Sequence, residues 1–183
     1  MKVISGSLKG RNIKGYDING TRPTMDRVKE SIFGMIQNYV KDSIVLDLFA
    51  GSGNYGIEAI SNGSQMVYFN DYNKKCINII RENLINFNVL DKGYLTIYDY
   101  HEALNFYKNK NVQFDLVFLD PPYKEKITCT IMDFLVKNKM LKNNSLIICE
   151  VNKRDAYLND KLILFKERKY GEKSVLVYKY QDE

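Results

Sequence analysis

The sequence predicts an α/β fold. It consists of an open, mostly parallel sheet that ends in an antiparallel C-terminal hairpin, preceded by a small N-terminal β-hairpin and one helix. Three observations predict it. From residue 44 onward, short apolar runs alternate with helical patterns. The first four runs, 44–49, 66–70, 94–98 and 114–119, are almost continuously apolar, as parallel strands covered on both faces are. The last two, 161–167 and 174–180, are joined only by Arg168-Lys169-Tyr170-Gly171-Glu172-Lys173, too short for a parallel crossover.

Taken in order, residues 2–15 hold two short alternating runs around Leu8-Lys9-Gly10 and read as a β-hairpin. Thr24 can cap a helix over 25–40, with Asp26 favourably placed in its first turn. Val28, Ile32, Met35, Ile36 and Tyr39 share one face of it. Helices are expected at 54–62, 73–86, 101–108 and 127–138, and a fifth strand of the main sheet at 145–151. Right-handed crossovers then wind the parallel strands.

With 183 residues, 45% hydrophobic and 27% charged, the chain has room for one domain and the balance of a soluble globular protein. No stretch approaches a membrane span, and the N-terminus has no signal-peptide core, so a cytoplasmic location is expected. Cys76, Cys129 and Cys149 are far apart in apolar stretches, which fits buried free thiols and speaks against a disulfide framework or a metal site. Net charge is +5, and the excess is uneven: residues 1–30 carry seven Lys/Arg against three Asp/Glu. Such a run is either a solvated face or a nucleic-acid contact.

The stretch Val45-Leu46-Asp47-Leu48-Phe49-Ala50-Gly51-Ser52-Gly53-Asn54-Tyr55-Gly56 ends a strand and opens a helix, with Gly51, Gly53 and Gly56 fitting G-x-G-x-x-G. Glycines there allow a tight turn and close approach to a ligand. Asp71 follows Gly51 by 20 residues at the end of the next strand, where an acid can grip ribose hydroxyls. This much also fits a nicotinamide dinucleotide and an oxidoreductase. Asp47 argues otherwise, because a carboxylate near the ligand repels a pyrophosphate and suits the amino group of S-adenosylmethionine. Little chain remains after Asp71 for a dehydrogenase's second domain. The cofactor site is therefore expected around Asp47, Phe49, Gly51, Ser52, Gly53 and Asp71. Asp99 ends the third strand as either an acceptor for the adenine amine or a turn former.

The stretch 114–123 is an apolar strand closed by Asp120-Pro121-Pro122-Tyr123. The prolines stiffen the backbone and leave the carbonyls of Asp120 and Pro121 free as acceptors. An exocyclic base amine has its lone pair delocalised into the ring and must become more tetrahedral to attack a methyl group. Acceptors that hold its N–H groups in that geometry favour the attacking state. Tyr123 can stack on the base, and the Asp120 carboxylate or water takes the proton afterwards.

Loop and motif together resemble the amino-methyltransferases that carry (D/N)PP(Y/F). Ser5-Gly6-Ser7-Leu8-Lys9-Gly10-Arg11, then Thr21-Arg22-Pro23-Thr24-Met25-Asp26-Arg27-Val28-Lys29-Glu30, and Lys169-Tyr170-Gly171 near the end resemble the bacterial ribosomal RNA small subunit methyltransferase D family. The resemblance implies a Rossmann-like S-adenosylmethionine methyltransferase sheet. It also implies transfer of a methyl group to the N2 amine of a guanine in 16S ribosomal RNA. Asp47, Gly51, Asp71 and Asp99 would then line the cofactor site, and Asp120, Pro121, Pro122 and Tyr123 the reacting base. Asn54-Tyr55 and Asn70 depart from the family's usual residues.

Residues 1–40 are then expected to form an RNA-contacting extension, with Lys9, Arg11, Arg22 and Arg27 as its contacts or, for Arg27, a pairing with an acid on its own helix instead, and residues 41–183 the catalytic domain. The expected partner is 16S ribosomal RNA or an assembling small subunit, met by a monomer. An adenine-N6 methyltransferase acting on DNA or RNA shares the catalytic motif. It usually needs a target-recognition region, and only about 40 residues lie outside this core. A non-catalytic RNA-binding protein is disfavoured by the intact Asp120-Pro121-Pro122-Tyr123.

Overall fold

The computed structural model describes residues 1–15, 23–121, 125–151, 157, 159–171 and 173–182, with the backbone alone at 23–25 and 125–126. The elements in chain order are α1 (Pro23–Val40), β1 (Ile44–Asp47), α2 (Asn54–Ser61), β2 (Met66–Asn70), α3 (Lys74–Asn86), β3 (Gly93–Thr96), α4 (Tyr100–Asn109), β4 (Phe114–Leu119), α5 (Glu125–Lys137), β5 (Leu141–Val151), β6 (Leu162–Tyr170) and β7 (Lys173–Tyr180). A short 3-10 turn at Leu90–Lys92 precedes β3.

The strands form one seven-stranded sheet in the order β3-β2-β1-β4-β5-β7-β6. The first five run parallel. Strand β7 pairs antiparallel with both β5 and β6, as the short connection required. Helices α1, α2 and α3 cover one face, where Ile32, Ile36, Ile57, Ile77 and Ile80 meet Val45, Phe69 and Phe118. Helices α4 and α5 cover the other, with Leu104, Tyr107, Ile131 and Leu135 against Leu46, Val117 and Ile147. Burial on both faces is why the parallel strands read as continuous apolar runs.

Strand order reverses between β1 and β4. The chain winds one way through β1, β2 and β3, then returns to start β4 on the other side. The helices that follow β1 and β4 therefore diverge, and a crevice opens at the C-terminal ends of those two strands.

Two expectations are adjusted. Helix α1 starts at Pro23, so Thr24 lies inside its first turn rather than capping it. Proline suits that first position, since its fixed φ is helical and the missing N–H would have no partner there. Residues 1–15 double back as a hairpin, with Val3 N–H donating to the Arg11 carbonyl at 2.9 Å and Ile13 N–H to that of Met1 at 2.8 Å. Only one bridge, Lys2 to Asn12, forms. Other backbone groups of this segment are taken by the helices: Ser7 N–H donates to the Ser61 carbonyl at 2.8 Å, the Glu58 carboxylate accepts from the N–H groups of Ile4 and Ser5, and Lys14 N–H donates to Asn83 Oδ1 of α3 at 2.9 Å.

Candidate active site

The turn after β1 is shaped by its glycines. Gly51 and Gly53 have φ of 54° and 81°, and Gly53 precedes the first residue of α2. A Cβ on Gly51 would meet nothing within 4 Å, so this residue offers bare backbone to an open space. A Cβ on Gly56 would lie 2.1 Å from Phe69 Cε1, so glycine here lets α2 pack directly on β2.

Carboxylates surround this turn. Asp47 is 3% exposed, and its Oδ2 accepts from Gly56 N–H at 3.0 Å. Burial raises its pKa to about 7; the Gly56 bond opposes the rise and the charges of Asp120 and Asp71 add to it. Asp71 accepts from Gly51 N–H at 2.9 Å with one oxygen and from Asn73 N–H at 2.9 Å with the other. It thus braces the glycine turn. Asp99 caps α4, accepting from Glu102 N–H at 3.0 Å, and lines the crevice at the same time. The turn-forming and site-lining readings of Asp99 are therefore compatible.

The crevice has a volume of about 550 Å³, within the usual range of small-molecule sites. Phe49, Asp71, Asp99, Asp120 and Pro121 line it, with Leu48, Asn70, Tyr98 and Tyr100 between them. The structure thus brings Asp47, Phe49, Gly51, Asp71, Asp99, Asp120 and Pro121 to one edge of the sheet. Ser52 turns away, its hydroxyl 3.9 Å from Met1 Sδ. Pro122, Tyr123 and Arg22 lie outside the described residues.

The basic residues are placed differently. Arg27 is exposed near the start of α1, two residues before Lys29, which contacts the first residue of α2 after the glycine turn. Arg11 donates to the Asn86 carbonyl at 2.7 Å and stacks 4.7 Å over Phe87, at the far end of α3. Lys9 is exposed in the turn that packs on Ser61, at the far end of α2. A helix of this length spans about 12 Å, so Lys9 and Arg11 stand well away from Asp120. Lys29, one of the seven N-terminal cations, is fully buried. It pairs with Glu58 at 2.9 Å and donates to the Lys2 carbonyl and Asn54 Oδ1, each at 2.7 Å. Desolvation lowers its pKa, with Glu58 and Asp26 pulling back.

The departures flagged in the sequence have structural partners. Asn54 receives the Lys29 ammonium. Asn70 is 1% exposed and ties β1 to β3, donating to the carbonyls of Leu48 and Tyr98 while Thr96 donates to its Oδ1. The Tyr55 ring lies parallel to that of Phe118, with centroids 5.2 Å apart, and its hydroxyl donates to Glu150. Sequence reasoning missed Glu150. The one available signal was an acid closing the fifth apolar strand, as Asp120 closes the fourth.

The family model described as Conserved hypothetical protein 95 matches residues 1–179. The chain belongs to that family. A relative of Bacillus subtilis (strain 168), YlbH, whose name provisionally makes it an rRNA methyltransferase, is 37% identical over 182 residues, 98% of each chain. The ribosomal RNA small subunit methyltransferase D of Haemophilus influenzae is 34% identical over 97% of this chain and 93% of its own. These relatives bear out the resemblance read from the sequence. Among solved structures, the RNA methyltransferase of Salinibacter ruber in complex with S-adenosyl-L-homocysteine has the same fold, with a TM-score of 0.65 at 14% identity, over 90% of this chain and 95% of that one.

Proposed function

We propose that this member of the family transfers the methyl group of S-adenosylmethionine to the exocyclic N2 amine of a guanine in 16S ribosomal RNA. The observation that carries the reading is the position of Asp120: it closes β4 at the wall of a crevice whose neighbouring strand end holds a buried carboxylate, Asp47.

The residues fit the cofactor. Gly51 leaves bare backbone beside the crevice, and Asp47 supplies a negative charge to the ligand's amino group. Asp71 reaches the ribose, and Asp99 the adenine amine. When bound, the cofactor supplies an electrophilic methyl on a sulfonium. Asp120 and the Pro121 carbonyl accept the N–H groups of the base amine and hold its nitrogen pyramidal, with Tyr123 stacked on the ring. The Asp120 carboxylate or water then takes the released proton.

The names of the relatives support ribosomal RNA as the substrate, and a reaction on it fits the cytoplasm. In this reading residues 1–40 extend a catalytic domain of 41–183 toward the RNA. Arg22 and Arg27 contact the RNA backbone, and Lys9 and Arg11 hold it at the far ends of α2 and α3. A loop or flipped guanine presents the amine. The test is nucleoside mass spectrometry of 16S ribosomal RNA from cells with and without the gene. Loss of one N2-methylguanosine is expected. Loss of an N6-methyladenosine would favour the adenine reading, and no change would refute both.

A further inference from the structure

The motif Asp120-Pro121-Pro122-Tyr123 explains how an amine is held, but not how a guanine is told from an adenine. We infer that Glu150 reads the target base, accepting the N1–H that guanine has and adenine lacks. The inference rests on the proposed function.

The sheet places Glu150 for this. In the pairing of β4 with β5, Leu119 stands opposite Cys149, so Asp120 and Glu150 follow side by side on adjacent strands. Within β5, Glu150 shares a face with Ile148, which is buried against α1–α3, and Asp120, just past the end of β4, lies near enough to the Glu150 partner Tyr55 for its charge to act on that hydroxyl. Neighbouring strands lie about 4.8 Å apart. In guanine, N2 and N1 are adjacent on one edge and their N–H bonds point nearly the same way. A base whose N2–H is held by Asp120 therefore turns its N1–H toward the next strand end, which is Glu150.

The carboxylate is held in place. Its side chain is only 12% exposed; Tyr55 donates to Oε1, and the Lys173 ammonium is 3.8 Å from Oε2. Tyr55 is itself fixed by its stack on Phe118, two residues before Asp120 in the chain. A carboxylate's two oxygens together accept about four hydrogen bonds, more than one donor each. The fixed group is acceptor-only. Facing guanine it meets a donor at N1. Facing adenine it meets the N1 lone pair, and the two acceptors repel. Base contacts of this kind discriminate roughly 10–200-fold.

The probe is the small subunit reconstituted with 16S RNA that carries either guanine or 2,6-diaminopurine at the methylated position. Diaminopurine keeps the N2 amine but has an acceptor at N1. Wild-type protein should prefer guanine about 100-fold in kcat/KM. Glu150→Gln, whose amide can donate to that acceptor, should shrink the ratio at least tenfold, and Tyr55→Phe should shrink it less. Equal use of both bases by the wild type would overturn the role of Glu150, whether or not the variants fold. An unchanged ratio in Glu150→Gln would do the same. Failure to methylate any guanine N2 would overturn the proposed function itself.

Discussion

Burial holds the Asp47 carboxyl at a pKa of about 7, against 3.8 for the ordinary group; the Gly56 N–H opposes the rise, and Asp120 and Asp71 add to it. The folded protein thus binds this proton more tightly than an unfolded chain. That contribution to stability is complete below about pH 3.8 and is lost as pH rises through about 7. A cationic ligand against Asp47 requires the ionised form. Cofactor affinity should therefore fall as pH drops below 7, approaching about tenfold per unit, with one proton released on binding. Calorimetry at pH 6 in two buffers of different ionisation enthalpy reads that proton directly. Asp47→Asn should bind weakly and without this pH dependence; a wild-type affinity constant from pH 5.5 to 7 would remove Asp47 from the cofactor site. Asp71 acts differently, because both its oxygens hold backbone N–H groups of the turns beside the crevice. Asp71→Ala should weaken the cofactor by roughly 1–3 kcal/mol, and unchanged affinity would remove Asp71 from the ribose and show that the turn holds its shape unaided.

Helix α2 is where the cofactor turn and the N-terminal segment meet. Its first residue, Asn54, and its centre, Glu58, both take the Lys29 ammonium, while Glu58 also holds Ile4 and Ser5. Removing one partner strands a buried charge, so Lys29→Met should cost about 3–5 kcal/mol. The double variant Lys29→Met, Glu58→Leu should cost clearly less than the sum of its single changes. Additive costs in denaturant unfolding would show the pair to be uncoupled. On the opposite side of α2, Gly56→Ala would force the helix off Phe69, with an expected loss of about 1–3 kcal/mol partly restored by Phe69→Leu. Most elements were legible because their strands are buried on two faces and their helices on one. Strands β5 and β6 were exceptions: β6 runs to Tyr170, three residues past the expected 167, and β5 starts at Leu141, four residues before the expected 145. Polar Lys142-Asn143-Asn144 hides that start, and Asn144 has a positive φ of 67°. The ion pair was not legible either, since its partners are distant in sequence and Lys29 reads as one more surface cation.

Across the whole molecule, the reactive groups gather at one edge of the sheet and part of the basic charge at the other. The sequence placed Asp47, Asp71 and Asp120 correctly at strand ends, since strand ends follow from apolar runs, whereas Asp99 lies three residues past β3 as the cap of α4. It could not show that α2 and α3 carry Lys9 and Arg11 about 12 Å or more down from the glycine turn. RNA bound by both regions must span that distance. Charge reversal at Lys9 should therefore lower RNA affinity and the salt slope by about one unit, with turnover of bound RNA intact. Arg27→Glu, two residues before the Lys29 that contacts the start of α2, should impair turnover as well. Filter binding across a salt series separates the two, and a wild-type slope in both variants would move the RNA surface elsewhere. In the proposed reaction, transfer depends on Asp120. The most direct test is single-turnover methylation of reconstituted small subunits by wild-type protein and Asp120→Ala, with cofactor affinity measured alongside. N2-methylguanosine formed by the wild type and slowed at least 100-fold in Asp120→Ala, at unchanged cofactor affinity, is the predicted result. Equal rates in the two proteins would contradict it.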